Sequence, residues 1–141
     1  MAWKNLPRLS DDSRGNPSKY KNRKLVIGGE IFDSRKEYRR WCDLIYLQQA
    51  GEITGLRRQV SFTIIPALRE PSTEFFKRGK HKGEPKPGKL VERATHYVAD
   101  FVYTDKDGNT VVEDCKGMRT KDYVLKRKLM YAVHGIRVKE T

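Results

Sequence analysis

The chain has 141 residues, thirty of them Lys or Arg and eighteen Asp or Glu, for a formal net charge of +12. That length points to one domain with room for a real core, and that charge favours a polyanionic partner, nucleic acid first. No apolar run approaches about 18 residues and no secretory apolar segment follows Met1, so a soluble intracellular protein is expected, and Cys42 and Cys115, far apart and without CxxC or His spacing, indicate neither a zinc site nor a disulfide framework.

Residues 1–23 hold Pro7, Gly15 and Pro17 among Ser, Asn, Asp and basic residues without apolar periodicity, which predicts a flexible basic arm able to follow a phosphate backbone. The remainder, 24–141, is the expected domain. Lys24-Leu25-Val26-Ile27 and Glu30-Ile31-Phe32 flank Gly28-Gly29, a two-residue hairpin signal. A first helix opens with Asp33 or Ser34 as N-cap and runs to about Ala50, where Gly51 stops it. At about 100° per residue, Leu44, Trp41, Ile45, Tyr38 and Cys42 form its apolar arc, and Glu37 falls inside that arc. Two roles are open to Glu37: a capping box with Ser34, or an inward carboxylate in need of a partner.

Residues 52–57 read as a connection to an alternating strand from Gln59 to Ile65, with Val60, Phe62 and Ile64 on one face and Gln59, Ser61 and Thr63 on the other. Pro66 ends it. From 67 to 95 the pattern is irregular, and Lys77 to Lys89 holds six Lys or Arg, three Gly and two Pro, from which no core can be built. This predicts a flexible basic loop whose Lys77, Arg78, Lys80 and Lys82 suit a clamp over a nucleic-acid backbone.

The runs His96 to Thr104 and Thr110 to Lys116 are rich in β-branched and aromatic residues and flank turn residues Asp105-Lys106-Asp107-Gly108-Asn109, which predicts a hairpin. With the loop symmetric about Asp107, Val102 faces Val112, Asp100 faces Asp114 and Val98 faces Lys116. Alternation then sets Asp100, Asp114 and Lys116 on one face with Val98, Val102 and Val112, and Cys115 on the other. Two opposed carboxylates stand roughly 4.5–5.5 Å apart at Cβ and repel, a cost that a cation between them offsets. A hard divalent metal fits, as does simple neutralisation of an exposed edge by Lys116; the apolar neighbours favour a covered face.

Beyond Gly117, Thr120 caps a second helix to about Val133, with Leu125, Leu129, Ala132 and Val133 as the expected buried stripe. Its other faces carry Lys121, Lys126, Arg127 and Lys128, placed to contact phosphates. Gly135 breaks the helix, and Ile136-Arg137-Val138 is the last expected strand, reached by a crossover long enough for parallel pairing.

The order helix, three strands, helix, strand, with Glu37 in the first helix and Asp100 and Asp114-x-Lys116 in the hairpin, resembles the PD-(D/E)xK nuclease superfamily. The segments FDSRKE, AGEI, RRQVSF, YVADFVY, VVEDCKG and LKRKL are similar to those of a phage and prophage family of small endonucleases and, more distantly, of phage junction-resolving endonuclease I. The likeness covers about residues 19–138. Two departures stand out. Ala99 occupies the superfamily's Pro position, and Glu113 and Asp114 are adjacent, with spacing to Lys116 and strand alternation selecting Asp114.

The resemblance implies an α/β fold with a restriction-endonuclease-like core, a central mixed sheet flanked by helices in the order αβββαβ. It also implies a Mg²⁺-dependent DNA endonuclease, with Mn²⁺ as a substitute. Carried over by position, Asp100 and Asp114 hold the metal, Glu37 completes the site directly or through water, and Lys116 orients or helps deprotonate the attacking water. The chemistry agrees, since phosphodiester hydrolysis needs an activated water and neutralised phosphate charge, which a metal on hard oxygens provides. Branched DNA such as a four-way junction is the expected substrate, a two-fold homodimer the expected form, and phage recombination or replication in the cytoplasm of a bacterial host the expected setting. The alternatives are a non-catalytic basic nucleic-acid-binding accessory protein and a nuclease that nicks or cuts linear duplex.

Overall fold

The computed structural model describes residues 23–141, so the basic arm expected over 1–23 lies, save for Arg23, outside the described residues. Strands β1 (Leu25–Ile27) and β2 (Glu30–Phe32) form the expected hairpin, with Gly28 at φ 61° and Gly29 at φ 82° in the left-handed positions of a two-residue turn. Helix α1 (Arg35–Gln49) starts where the Ser34 hydroxyl accepts the Glu37 N–H at 3.1 Å, satisfying one of the donors that a helix start leaves open. Then come β3 (Thr54–Ile65), β4 (Leu68–Arg69), β5 (Leu90–Glu92), β6 (Thr95–Thr104), β7 (Thr110–Asp114), α2 (Lys121–His134) and β8 (Lys139–Glu140).

A four-stranded sheet of order β3-β6-β7-β8 makes the core. Its first three strands are antiparallel and β8 lies parallel to β7, the crossover through α2 supplying the needed length. The fold is thus a mixed α/β core in the expected order αβββαβ. Each helix covers one face. On one side Tyr123 and Met130 of α2 cluster with Ile64, Tyr97, Ala99, Val102 and Val112, and on the other Leu44 of α1 clusters with Ile53, Phe101 and Tyr103. Among the described residues no helix is long and apolar enough to cross a membrane.

Several boundaries differ from expectation, each for a tertiary reason. Strand β3 begins at Thr54, within the expected connection 52–57, because this stretch pairs with the far end of β6 and packs Leu56 against the α1-side core. The last strand is Lys139–Glu140 rather than 136–138, since Ile136 and Val138 pack against the α2-side core and pairing with β7 begins only at Lys139. Helix α2 buries a different stripe from its most apolar arc. Tyr123 and Met130 are buried, whereas Leu125, Ala132 and Val133 are exposed and Leu129 alone of the expected four packs against the core. Its rotation follows the Tyr123 ring, which lies beneath the Lys116 ammonium at 4.7 Å, and a 2.8 Å contact from His134 Nε2 to the Thr63 carbonyl.

The expected irregular loop over 67–95 is instead a two-stranded arm. β4 pairs with β5, Phe75 bridges Pro85, and backbone bonds join Glu70 N–H to Lys89, Phe76 N–H to Glu84 and Lys86 N–H to Glu74. Backbone pairing holds the arm together without a buried core, which composition alone cannot reveal. At Gly88 the arm's two sides come close together, since a Cβ there would lie 1.7 Å from the Glu70 carbonyl oxygen. Gly88→Ala is therefore expected to abolish hydrogen-exchange protection at Glu70 and Phe76 while moving the global unfolding free energy by less than about 0.5 kcal/mol. Retained protection in that variant would contradict the close packing.

Candidate active site

Both long strands invert their pleat at one rung. On β6, Tyr97 and Ala99 face the α2 side, yet beyond Asp100 it is Val102 that does so while Phe101 and Tyr103 face α1. On β3, Val60, Phe62 and Ile64 face α2, while Leu56 and Arg58 pack on the α1 side. The pairing of Arg58 with Phe101 and Val60 with Ala99 makes Gln59 and Asp100 the rung between, and Gln59 has φ 49°. A residue in the left-handed region turns the strand so that alternation restarts with opposite sense. This corrects the shared face expected for Val98 and Val102: Val98 lies across the inversion, 48 % exposed.

The hairpin register is as expected from Thr104 opposite Thr110 through Val102 opposite Val112 to Phe101 opposite Glu113, but the expected pairs Asp100–Asp114 and Val98–Lys116 are not part of the ladder. There the ladder stops, and the Cys115 N–H donates to Asp100 Oδ2 at 2.8 Å. Asp114 is buried, its Oδ2 accepting the Tyr97 hydroxyl at 2.6 Å. Its Oδ1 lies 3.1 Å from Lys116 Nζ but receives no well-directed hydrogen bond. Burial, then the Asp114 charge, push the Asp100 carboxyl up to about 7 against the opposing pull of the Cys115 N–H, with Glu37 raising it further and Lys116 lowering it. Burial and the Asp114 bond push the Tyr97 hydroxyl far up as well, so it stays a donor.

Glu37 performs both roles left open for it. Its Oε2 accepts the Asp33 N–H at 2.7 Å, as a cap, and the residue is 2 % exposed, as an inward acid. Its Oε1 accepts Gln59 Nε2 at 3.2 Å and Arg58 Nη2 at 3.4 Å. Gln59 Nε2 also donates to Asp100 Oδ1 at 3.4 Å, linking the helix acid to the strand acid. Arg58 is held in turn by Glu30, the Ile31 carbonyl and the face of Phe32, 3.8 Å from its guanidinium. The first hairpin thus fixes the arginine that fixes Glu37.

Glu113, fully buried, belongs to a different constellation. Arg40 Nε and Nη2 grip its two oxygens, the latter at 3.1 Å, and the Tyr103 hydroxyl donates to it at 2.8 Å. Burial alone would raise this carboxyl; the Arg40 and Tyr103 bonds outweigh it and hold it below the usual range. Glu113 thereby ties β7 to α1, and the acid adjoining Lys116 is Asp114.

Among the described residues no three His, Cys, Asp or Glu side chains converge as a ready-made metal cage. Mg²⁺ seldom uses such a cage, taking one or two carboxylates and completing its shell with water and substrate phosphate. Asp100 and Asp114 fit that donor set, Asp114 Oδ1 being buried, beside the Lys116 ammonium and without a directed hydrogen bond. Next to Lys116 opens a cleft of about 560 Å³ lined also by Lys36, Gly117, Met118, Arg119, Glu140 and Thr141, a lining that includes neither Asp100 nor Asp114. The other candidate cations fall in two places. Lys77, Arg78, Lys80 and Lys82 are exposed at the end of the arm, and Lys121 and Lys128 are exposed on α2, where Lys126 pairs with Asp122 at 3.5 Å.

Arg58, Tyr97 and Arg40 carry no motif of their own; hydropathy reads them as ordinary strand and helix residues, and only pairing brings them to the acids. A family model with the description "Protein of unknown function (DUF1064)" matches residues 17–140. Neither the comparison with curated proteins nor that with solved structures finds a match.

Proposed function

We propose that this chain, which belongs to the DUF1064 family, is a metal-dependent endodeoxyribonuclease of PD-(D/E)xK type that hydrolyses phosphodiester bonds in branched DNA. The observation that carries this reading is a fully buried carboxylate, Asp114, whose Oδ1 has only the Lys116 ammonium beside it and whose charge presses on Asp100. Apposed acids without a guanidinium between them are destabilising unless a cation is bound, and such arrangements concentrate at functional sites. Mg²⁺ held by Asp100 and Asp114, with Glu37 joining through water, would supply a nucleophilic water near neutral pH and offset phosphate charge.

The protein's own groups divide the remaining work. The Lys116 ammonium, steadied by Asp114 and the Tyr123 ring, stands beside the negative charge that builds on phosphate as the bond breaks. Tyr97 orients Asp114, and the Cys115 N–H orients Asp100. Lys36, Arg119 and the basic arm supply backbone contacts, so binding falls steeply with salt. A symmetric junction cut on two strands favours a two-fold dimer.

The test is incubation with four-way, flap, single-stranded and linear DNA in Mg²⁺, Mn²⁺ or chelator. Metal-dependent products, most abundant from the four-way junction, are expected. Equal cutting of linear duplex would transfer the assignment to a nicking or linear-duplex nuclease. Salt-sensitive binding with no product in either metal would leave a basic accessory protein and end the enzymatic reading.

A further inference from the structure

We infer that Gln59 is a positioning residue that holds the Glu37 and Asp100 carboxylates at a set separation through its carboxamide, an inference that deepens the nuclease reading and rests on it for the link to cleavage. Nε2 of Gln59 donates to Glu37 Oε1 at 3.2 Å and to Asp100 Oδ1 at 3.4 Å. One amide thus joins acids from α1 and β6. A lysine or arginine in this place would add a second cation to the Arg58 already beside Glu37 and compete with any bound metal; a carboxamide donates to both acids and adds no charge.

The backbone points the same way. Among the described residues, Gln59 is the sole non-glycine with positive φ, at 49°. Asparagine or glycine meets that demand with less strain, so what glutamine adds is reach, its amide standing one methylene farther from the strand. It also occupies the rung at which both strands invert, opposite Asp100. The left-handed backbone serves the pleat inversion, and its place opposite Asp100 also sets the Gln59 side chain between the two acids.

Gln59→Gly permits the left-handed backbone and removes the carboxamide together with the methylenes that carry it. Its unfolding temperature is expected to equal or exceed that of wild type, while kcat for Mg²⁺-dependent junction cleavage falls about 10–100-fold and KM stays within about threefold. A second measurement needs no activity: thermal unfolding in chelator of Gln59→Gly, Glu37→Ala and the double variant, alanine at 37 leaving no acceptor for the Gln59 amide. The two shifts in unfolding temperature are expected not to add, because either change alone already breaks the shared bond. Wild-type kcat in Gln59→Gly, additive shifts, or a fall in unfolding temperature large enough to explain the lost activity would each overturn the assignment. Should the wild-type chain cut no DNA, the nuclease reading fails separately. The chelator cycle then decides alone: non-additive shifts keep Gln59 as the link between the acids, and additive shifts remove it.

Discussion

Replacing Arg40 by alanine is expected to cost about 3–5 kcal/mol of folding stability, because it strands the fully buried Glu113 carboxylate without its bidentate partner. The loss exceeds the worth of the ion pair itself. Tyr103 still donates to Glu113, and Lys139 Nζ remains 3.9 Å away, but neither replaces a guanidinium fork. Removing the acid as well should restore part of the loss, so the double variant Arg40→Met with Glu113→Leu unfolds at higher denaturant than Arg40→Ala. The pH dependence follows from the lowered Glu113 carboxyl. A depressed folded pKa contributes stability that is present above the unfolded value, roughly 4.3, and is lost as pH falls through the folded value. The gap between wild type and Arg40→Ala is therefore widest near neutral pH and narrows in acid. Urea unfolding at pH 7 and pH 4 measures both, and a constant gap would show that Glu113 is not the group responsible.

Changes at the proposed centre should show first in activity, although Lys116→Ala also takes away the ammonium beside the buried Asp114 and should lose stability as well. Lys116→Ala and Asp114→Asn are each expected to lower metal-dependent cleavage by about 10²–10³-fold or more while changing DNA affinity little, since most of the binding charge lies elsewhere. Full cleavage by both variants in Mg²⁺ would remove the site. Asp100→Asn adds a test that does not depend on catalysis. The Asp100 carboxyl is raised to about 7 from its ordinary 3.8, so the folded chain retains a proton there that the unfolded chain has released. Between those values folding takes up a proton, and stability from this group falls as pH rises. In chelator, Asp100→Asn should gain about 1–3 kcal/mol over wild type at pH 8, a figure discounted for partial solvent access, and converge with it near pH 4. A variant that folds better and cuts worse marks a residue kept for chemistry.

Local pattern sufficed for elements that close within a few residues. The Gly28-Gly29 turn, the Ser34 cap, the register of the β6–β7 hairpin and the Thr120 cap all lie in short stretches of chain, where turn chemistry and alternation act directly. The candidate acids Glu37, Asp100 and Asp114 and the cation Lys116 were legible for the same reason: charges set into apolar runs are conspicuous. Misreadings cluster where long-range pairing decides. The early start of β3, the ordered arm and the rotation of α2 depend on partners distant in sequence, which no periodicity reports.

The amino-acid order by itself determined the α/β element sequence, the basic surface and which four side chains are candidates for chemistry, because propensity, capping and charge are properties of neighbouring residues. Only the tertiary structure decided that Glu113 turns to Arg40 while Asp114 joins Lys116, and that Gln59 and Arg58 hold Glu37. For Arg58 and Gln59 the cause is the inversion at the Gln59–Asp100 rung: a left-handed residue resets which way the neighbouring strand side chains point, and its effect appears only when the two strands are paired.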